Sequence, residues 1–199
     1  GLGICVLADL VDRSRNLTLL FTDAGAYPAD VMFGMKGWIA YLSLHYWTGR
    51  DPGLQAAVFA VTALAALALI AGWRSWFANL LCAYLVASLQ LRNSFSYVGG
   101  DLMLRLLLFW GLWLPLGARY SLDARRGRAQ PRADRWRSGA GAALLLQVAM
   151  MYWVTGLAKS GELWWSGQAV AYALRADQFV TPLGTWMLRW PRLLEAITA

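Results

Sequence analysis

Charge is scarce in this chain of 199 residues. Only 15% of it is Asp, Glu, Lys or Arg, against about 25% in soluble domains. Acids are rarest, with Asp and Glu together numbering 11. Histidine occurs once, at His45, and cysteine twice, at Cys5 and Cys82. A lone histidine and two cysteines without metal-ligand spacing build no metal centre and no disulfide framework. Both cysteines fall in apolar stretches and are expected as buried free thiols. No Walker or Rossmann glycine pattern is present, and no HExxH, CxxC or GxSxG string. Internal repeats and low-complexity tracts are absent as well.

What the chain has is apolar length. Hydrophobic residues make up 59% of it. Pro52 to Trp73, Ser75 to Leu91 and Ser138 to Ala158 each run without a charge. A bilayer core takes about 20 helical residues. Asp101 to Leu116 reaches a similar length if it includes Arg105, and residues 1 to about 20 read as a further span. The fold class expected is all-α: a polytopic transmembrane helical bundle of about five spans. Between the first two spans, Val31 to Trp47 is apolar and aromatic but carries Lys36 and His45, which suits an interfacial or re-entrant helix near residues 30–47. The whole chain, 1–199, reads as a single membrane domain, truncated at both ends.

The net charge of +7 does not point to nucleic acid. Much of the excess lies between Arg119 and Arg137, where Arg119, Arg125, Arg126, Arg128, Arg132, Arg135 and Arg137 face only Asp123 and Asp134. Basic loops are retained in the cytoplasm. With that loop inside, the expected location is an integral, multi-pass place in a bacterial inner membrane. His45, Asp51, Arg92, Asn93, Asp101, Lys159 and Glu162 then gather toward the extracytoplasmic ends of the spans.

The candidate site residues come from this set. Lys159 ends an uncharged segment, and by position alone it reads as a lysine snorkelling to the interface. In a dehydrated pocket the same amine loses its proton more readily and can serve as a base. Tyr152 and Thr155 share its helix face, and Glu162, three residues on, is either its ion partner or a solvated acid. Asp101 and Arg105 are four apart, spaced for a structural ion pair or for lining a site with Arg92 and Asn93. His45 is either an interfacial residue or a proton carrier. Trp38, Tyr46-Trp47 and Trp164-Trp165 suit an interfacial belt.

Four segments in order carry a family resemblance. They are Phe21-Thr22-Asp23-Ala24-Gly25-Ala26-Tyr27-Pro28, Leu91-Arg92-Asn93 with Gly99-Gly100-Asp101, Leu114-Pro115-Leu116-Gly117-Ala118-Arg119-Tyr120-Ser121-Leu122-Asp123, and Tyr152 through Lys159 to Gly167. Together they resemble the HTTM family, the horizontally transferred transmembrane domain related to the membrane part of vitamin K-dependent gamma-carboxylase. The resemblance spans nearly the whole chain. It implies carboxylase-like, carbon-carbon lyase chemistry at an extracytoplasmic pocket, with Lys159 as the base and a reduced quinone of the vitamin K or menaquinone class as cofactor. The implied partners are the lipid bilayer and a secreted peptide or protein. Two features depart from the carboxylases. Ser94 follows Asn93 where they carry histidine, and they carry a large lumenal C-terminal region that binds substrate peptide, whereas the sequence here runs to Ala199. A second functional class stays open: a membrane accessory protein for maturation or export of a secreted peptide, in which Lys159 and the Asp101–Arg105 pair hold the bundle together.

Overall fold

A computed structural model of the chain describes residues 1–93, 99–127, 138–175 and 181–198. Every regular element among them is helical. The chain divides into two compact units, Gly1–Leu144 and Leu145–Ala199.

The first unit is built on α1 (Leu2–Ser14), followed by the short α2 (Leu17–Phe21) and α3 (Ala29–Lys36). A 3-10 segment, Gly37–Leu42, leads to α4 (Leu44–Thr48), and then come α5 (Pro52–Ala71), α6 (Ser75–Arg92), α7 (Gly99–Gly111) and α8 (Leu122–Arg125). Helices α1, α5, α6 and α7 pack in a closed ring: α1 on α5, α5 on α6, α6 on α7 and α7 back on α1. The expected helix at 30–47 is thus three short pieces, turned at Gly37 and Ser43.

Local chemistry accounts for the ends of α5. The Asp51 carboxylate accepts from the N–H groups of Gly53 and Leu54, Pro52 occupies the first turn, and Gly72 closes the helix in the left-handed conformation. Helix α6 has no side-chain cap of its own. Asp123, 48 residues away from Ser75, supplies one. It accepts from Arg74 N at 2.9 Å, from Ser75 N at 2.8 Å and from Ser75 Oγ at 2.9 Å. The Asp123 N–H in turn donates to Gly72 O. The Leu114–Asp123 motif is therefore a clamp on the α5–α6 turn.

Two helices among the described residues, α5 and the 20-residue α9 (Gly139–Ala158), are long and apolar enough to cross a membrane. Helix α6, at 18 residues, is diluted by Asn79, Ser88 and Gln90. Helices α1 and α7, both expected as spans, are 13 residues each. That is roughly 20 Å of helix, short of a ~30 Å hydrocarbon core. Asn16 breaks α1 from α2. Helix α7 stops at Gly111 because Pro115 lacks an amide N–H and disfavours helix before it, so Leu112 and Trp113 make tight turns instead.

The bundle has an apolar core, with Val6, Leu10, Phe21, Phe59, Val86, Leu89 and Leu108 buried together, but polar groups are threaded through it and its outer surface is apolar. Gln55, Thr62, Asn79, Ser88, Gln90 and Arg92 are buried on α5 and α6. Leu64 and Leu67 of α5 and Trp76, Phe77 and Leu81 of α6 are exposed. Cys82 is buried as expected, but Cys5 lies on the exposed side of α1. In α9 no residue is buried.

The second unit holds most of α9, then α10 (Glu162–Trp165), α11 (Ala169–Leu174), α12 (Pro182–Met187) and α13 (Pro191–Thr198). Helix α13 packs on α11 and α12. The basic segment expected to be cytoplasmic lies outside the described residues from 128 to 137, as does Ser94.

Replacing Asp123 by Ala removes a charged acceptor shared by three donors and is expected to lower stability by about 1–3 kcal/mol. Denaturant titration in detergent checks this. An unchanged midpoint would remove the clamp from the account.

Candidate functional site

Asn79 of α6 reaches Leu108 O near the end of α7, and Gln90 reaches Asp101 O near its start. The two helices are therefore antiparallel, and the end of α1, the start of α5, the end of α6 and the start of α7 meet at one end of the bundle. Most of the first unit's polar side chains collect there.

Arg92 organises one half of this end. Its side chain is 0% exposed. Nη1 donates to Tyr27 O at 2.7 Å and Nη2 to Asp23 Oδ1 at 2.8 Å, and the guanidinium lies 5.9 Å from the Tyr27 ring centroid. Asp23 Oδ1 also accepts from Ala29 N at the start of α3, and Asn93 Nδ2 donates to Leu20 O. The Arg92-Asn93 motif thus holds the Phe21–Pro28 motif. Gly49 makes room for it, since a Cβ there would sit 3.0 Å from Arg92 Nε and from His45 O.

His45 lies beside this cluster on α4, outside the two spanning helices, and is 1% exposed. Thr48 Oγ1 donates to Gln55 Oε1 at 2.7 Å, which turns the Gln55 amide so that its Nε2 donates to His45 Nδ1 at 2.8 Å. The ring proton then belongs on Nε2, which has no hydrogen-bond partner among the described residues. Burial pushes the His45 pKa down to about 4; the Gln55 hydrogen bond raises it and the Arg92 charge lowers it further. His45 is therefore a neutral buried imidazole rather than an exposed interfacial one.

The other half centres on Arg13 of α1, absent from the sequence reading. Arg13 Nε donates to Asp9 Oδ1 at 2.8 Å, and Nη2 donates to Asp101 Oδ1 on α7. Asp101 thus takes a long-range cation from α1. Arg105 follows one turn along α7 and is half-buried. No local pattern announces a pair separated by 88 residues.

In the second unit, Lys159 lies just past α9 and is exposed. Its Nζ stands 5.2 Å from the Trp164 ring centroid. No carboxylate among the described residues comes within 4.0 Å of it, so of the two readings of Glu162 the ion pair is not formed. Lys159, Trp164, Trp165, Ser166, Gly167, Glu195, Ile197 and Thr198 line a cavity of about 750 Å³. Tyr152, Thr155 and Glu162 are not among its walls. Thr155 Oγ1 turns onto its own helix, donating to Met151 O at 2.7 Å. Glu195 and Thr198 were invisible to motif reading because they follow Lys159 by more than 35 residues in an unremarkable amphipathic helix.

This donor set fits an aromatic ring bearing oxygens: indole faces for the ring, an amine and a carboxylate for its substituents. The volume lies within the usual range of about 300–1,000 Å³ for small-molecule sites. No group of His, Cys, Asp and Glu able to hold a metal ion occurs among the described residues. Comparison with known proteins finds no matching family model, no matching curated protein and no matching solved structure.

Two outcomes follow from the first unit's geometry. Arg92→Met strands the Asp23 carboxylate and is expected to cost about 3–5 kcal/mol of stability by denaturant titration. His45 gives a pH signature. Between pH 6.5 and about 4 the unfolded histidine binds a proton that the native one does not, so stability falls as pH falls through that window. From about pH 7.5 to about pH 5 wild type should lose about 2 kcal/mol more than His45→Gln. Parallel pH profiles of the two proteins would refute this.

Proposed function

We propose that the chain is a multi-pass membrane protein that acts on a reduced quinone at the cavity beside Lys159, with Lys159 as the base. The observation that carries the proposal is the lysine's setting. Its Nζ lines a cavity of about 750 Å³ beside Trp164 and Trp165, with no carboxylate within 4.0 Å among the described residues to hold it. With no carboxylate against it, Nζ is left to meet a hydroxyl of a ligand in the cavity. The resemblance to the HTTM family and to the membrane part of the gamma-carboxylase points the same way, since Lys159 matches the carboxylase lysine by position.

The membrane part of the proposal rests on the distribution of polarity. A helix apolar on all sides and buried nowhere, as α9 is, is at home in lipid. So is a bundle that buries arginine and exposes tryptophan and leucine. Asp9, Arg13, Arg92, His45 and Asp101 would lie at the extracytoplasmic end, with the loop from Arg119 to Arg137 in the cytoplasm of a bacterial inner membrane. The tight α1 and α7 would cross with help from their flanking turns.

When bound, a reduced quinone supplies an acidic O–H and, with molecular oxygen, the oxidising power to generate a strong base. The chain's own contribution is narrower. Trp164 and Trp165 offer indole faces to a flat ring, and Lys159 Nζ would accept and return the proton. Carboxylation of a secreted peptide is the reaction class that the family resemblance suggests.

A second reading is a membrane accessory protein for maturation or export of a secreted peptide. It draws on the arginines, because Arg13 and Arg92 are both buried and ion-paired, as purely structural cations are.

The test uses the full chain in detergent, with reduced menaquinone and reduced vitamin K as probes and oxygen-dependent consumption of the quinol as readout. Wild type is expected to consume it, and both Lys159→Ala and Lys159→Arg are expected to lose at least about 100-fold in rate. Equal rates in all three proteins would sink the base assignment. No turnover, with the variants folded and binding as wild type does, would favour the accessory protein.

A further inference from the structure

The cavity beside Lys159 has a second ionisable wall. Glu195 of α13 lines it together with Lys159, yet the two are not within 4.0 Å of each other. A cation and an anion that share a cavity without closing on each other leave room for a ligand between them. The glutamate is backed by main chain. Gly167, at φ 73°, faces it so closely that a Cβ there would lie 3.3 Å from Glu195 Cγ. Contacts to Glu195 Cα and Cβ would be 3.4 Å each. Gly167 therefore sets how closely the chain approaches the Glu195 backbone and the base of its side chain, while the carboxylate end is exposed.

We propose that Glu195 sets the redox-state preference of this cavity, so that it takes an aromatic ring carrying hydroxyl groups over the corresponding dione. The inference rests on the quinol reading above and adds a specificity-determining residue to it. The chemistry is a matter of donors and acceptors. An ionised carboxylate only accepts hydrogen bonds. A phenolic O–H donates to it, and that bond is of the charge-assisted kind. A dione presents only lone pairs, so its oxygen beside Glu195 sets acceptor against acceptor. Lys159 cannot make this distinction, because its N–H groups donate to a hydroxyl oxygen and to a carbonyl oxygen alike. The indole faces of Trp164 and Trp165 do not discriminate either, since both redox forms are flat.

Such a residue has a purpose in a base-catalysed site. Lysine has no proton to take from the oxidised form, so an oxidised ligand would only occupy the cavity. A carboxylate in the same cavity favours the form that can be deprotonated.

The experiment is an air-free binding titration of the full chain in detergent, with reduced and oxidised menaquinone as separate probes and tryptophan fluorescence as readout. Wild type is expected to bind the reduced form roughly 10- to 100-fold more tightly. Glu195→Gln, whose amide can also donate, should bring the ratio close to one, while Lys159→Ala keeps the wild-type preference. Gly167→Ala, which presses on Glu195 without altering its charge, should also lower the ratio. A wild type without preference, or a preference unchanged in Glu195→Gln, overturns the assignment while leaving the quinol site standing. Failure of both menaquinone forms to bind overturns both readings.

Discussion

A fully buried guanidinium must be met wherever it lies, and Arg92 obliges the rest of the first unit to meet it. Isolated charge in a low-dielectric interior is too costly to persist. The chain answers with Asp23 and the carbonyl of Tyr27, both on the segment between α2 and α3. That segment has little regular structure of its own, so its course follows from where Arg92 needs partners. Gly49 then has to be small, because the end of α4 passes directly over the guanidinium. His45 sits within the same arginine's field, and its neutrality is part of the arrangement: a second cation beside a buried arginine would add repulsion to desolvation.

At the opposite end of α6 the logic repeats with the sign reversed. The first amide N–H groups of that helix need an acceptor, and Asp123 brings one from beyond α7. Both ends of α6 are thus completed by residues distant in sequence. Between them the helix buries Asn79, Ser88 and Gln90 beside Leu85, Val86 and Leu89, and turns Trp76, Phe77, Leu81 and Tyr84 outward. In water such an exterior would drive association, since apolar patches far above a few hundred Å² are rarely left bare. In lipid it carries no penalty, while the buried polar groups keep the helices in one register. That contrast is the physical support for placing the bundle in a membrane.

These features were legible in the sequence to different degrees. Helices α5 and α9 could be read because both are long uncharged runs, and α5 carries its own Asp51 cap and Gly72 stop. The importance of Arg92, Asn93 and Asp101 was visible, because charged residues near apolar runs demand an explanation. Their partners were not. Arg13 carried no local signal, and its pairing with Asp101 depends on how α1 and α7 pack. Segment lengths misled for a related reason: apolar composition does not reveal that Asn16 and Pro115 end their helices early. In the second unit the Lys159 motif stood out, but its expected neighbours Tyr152, Thr155 and Glu162 do not line the cavity. Helical spacing identifies residues on one face, whereas this cavity is formed where the chain leaves the helix and α13 returns.

The contrast between the two kinds of cation bears on function. Arginine binds carboxylates with a rigid planar fork and keeps its proton at any physiological pH. Arg13 and Arg92 are used in that way, each inside the bundle and each tied to an aspartate. Such groups position structure and do not exchange protons. Lysine is a compact ammonium on a flexible stem, whose donors can turn to whatever ligand meets them. Lys159 is set apart from carboxylates and next to indole. If this protein performs proton chemistry with a cation, the arginines are already committed and the lysine is not. The proposed base and the proposed selector, Glu195, therefore share a cavity in which neither is consumed by the other.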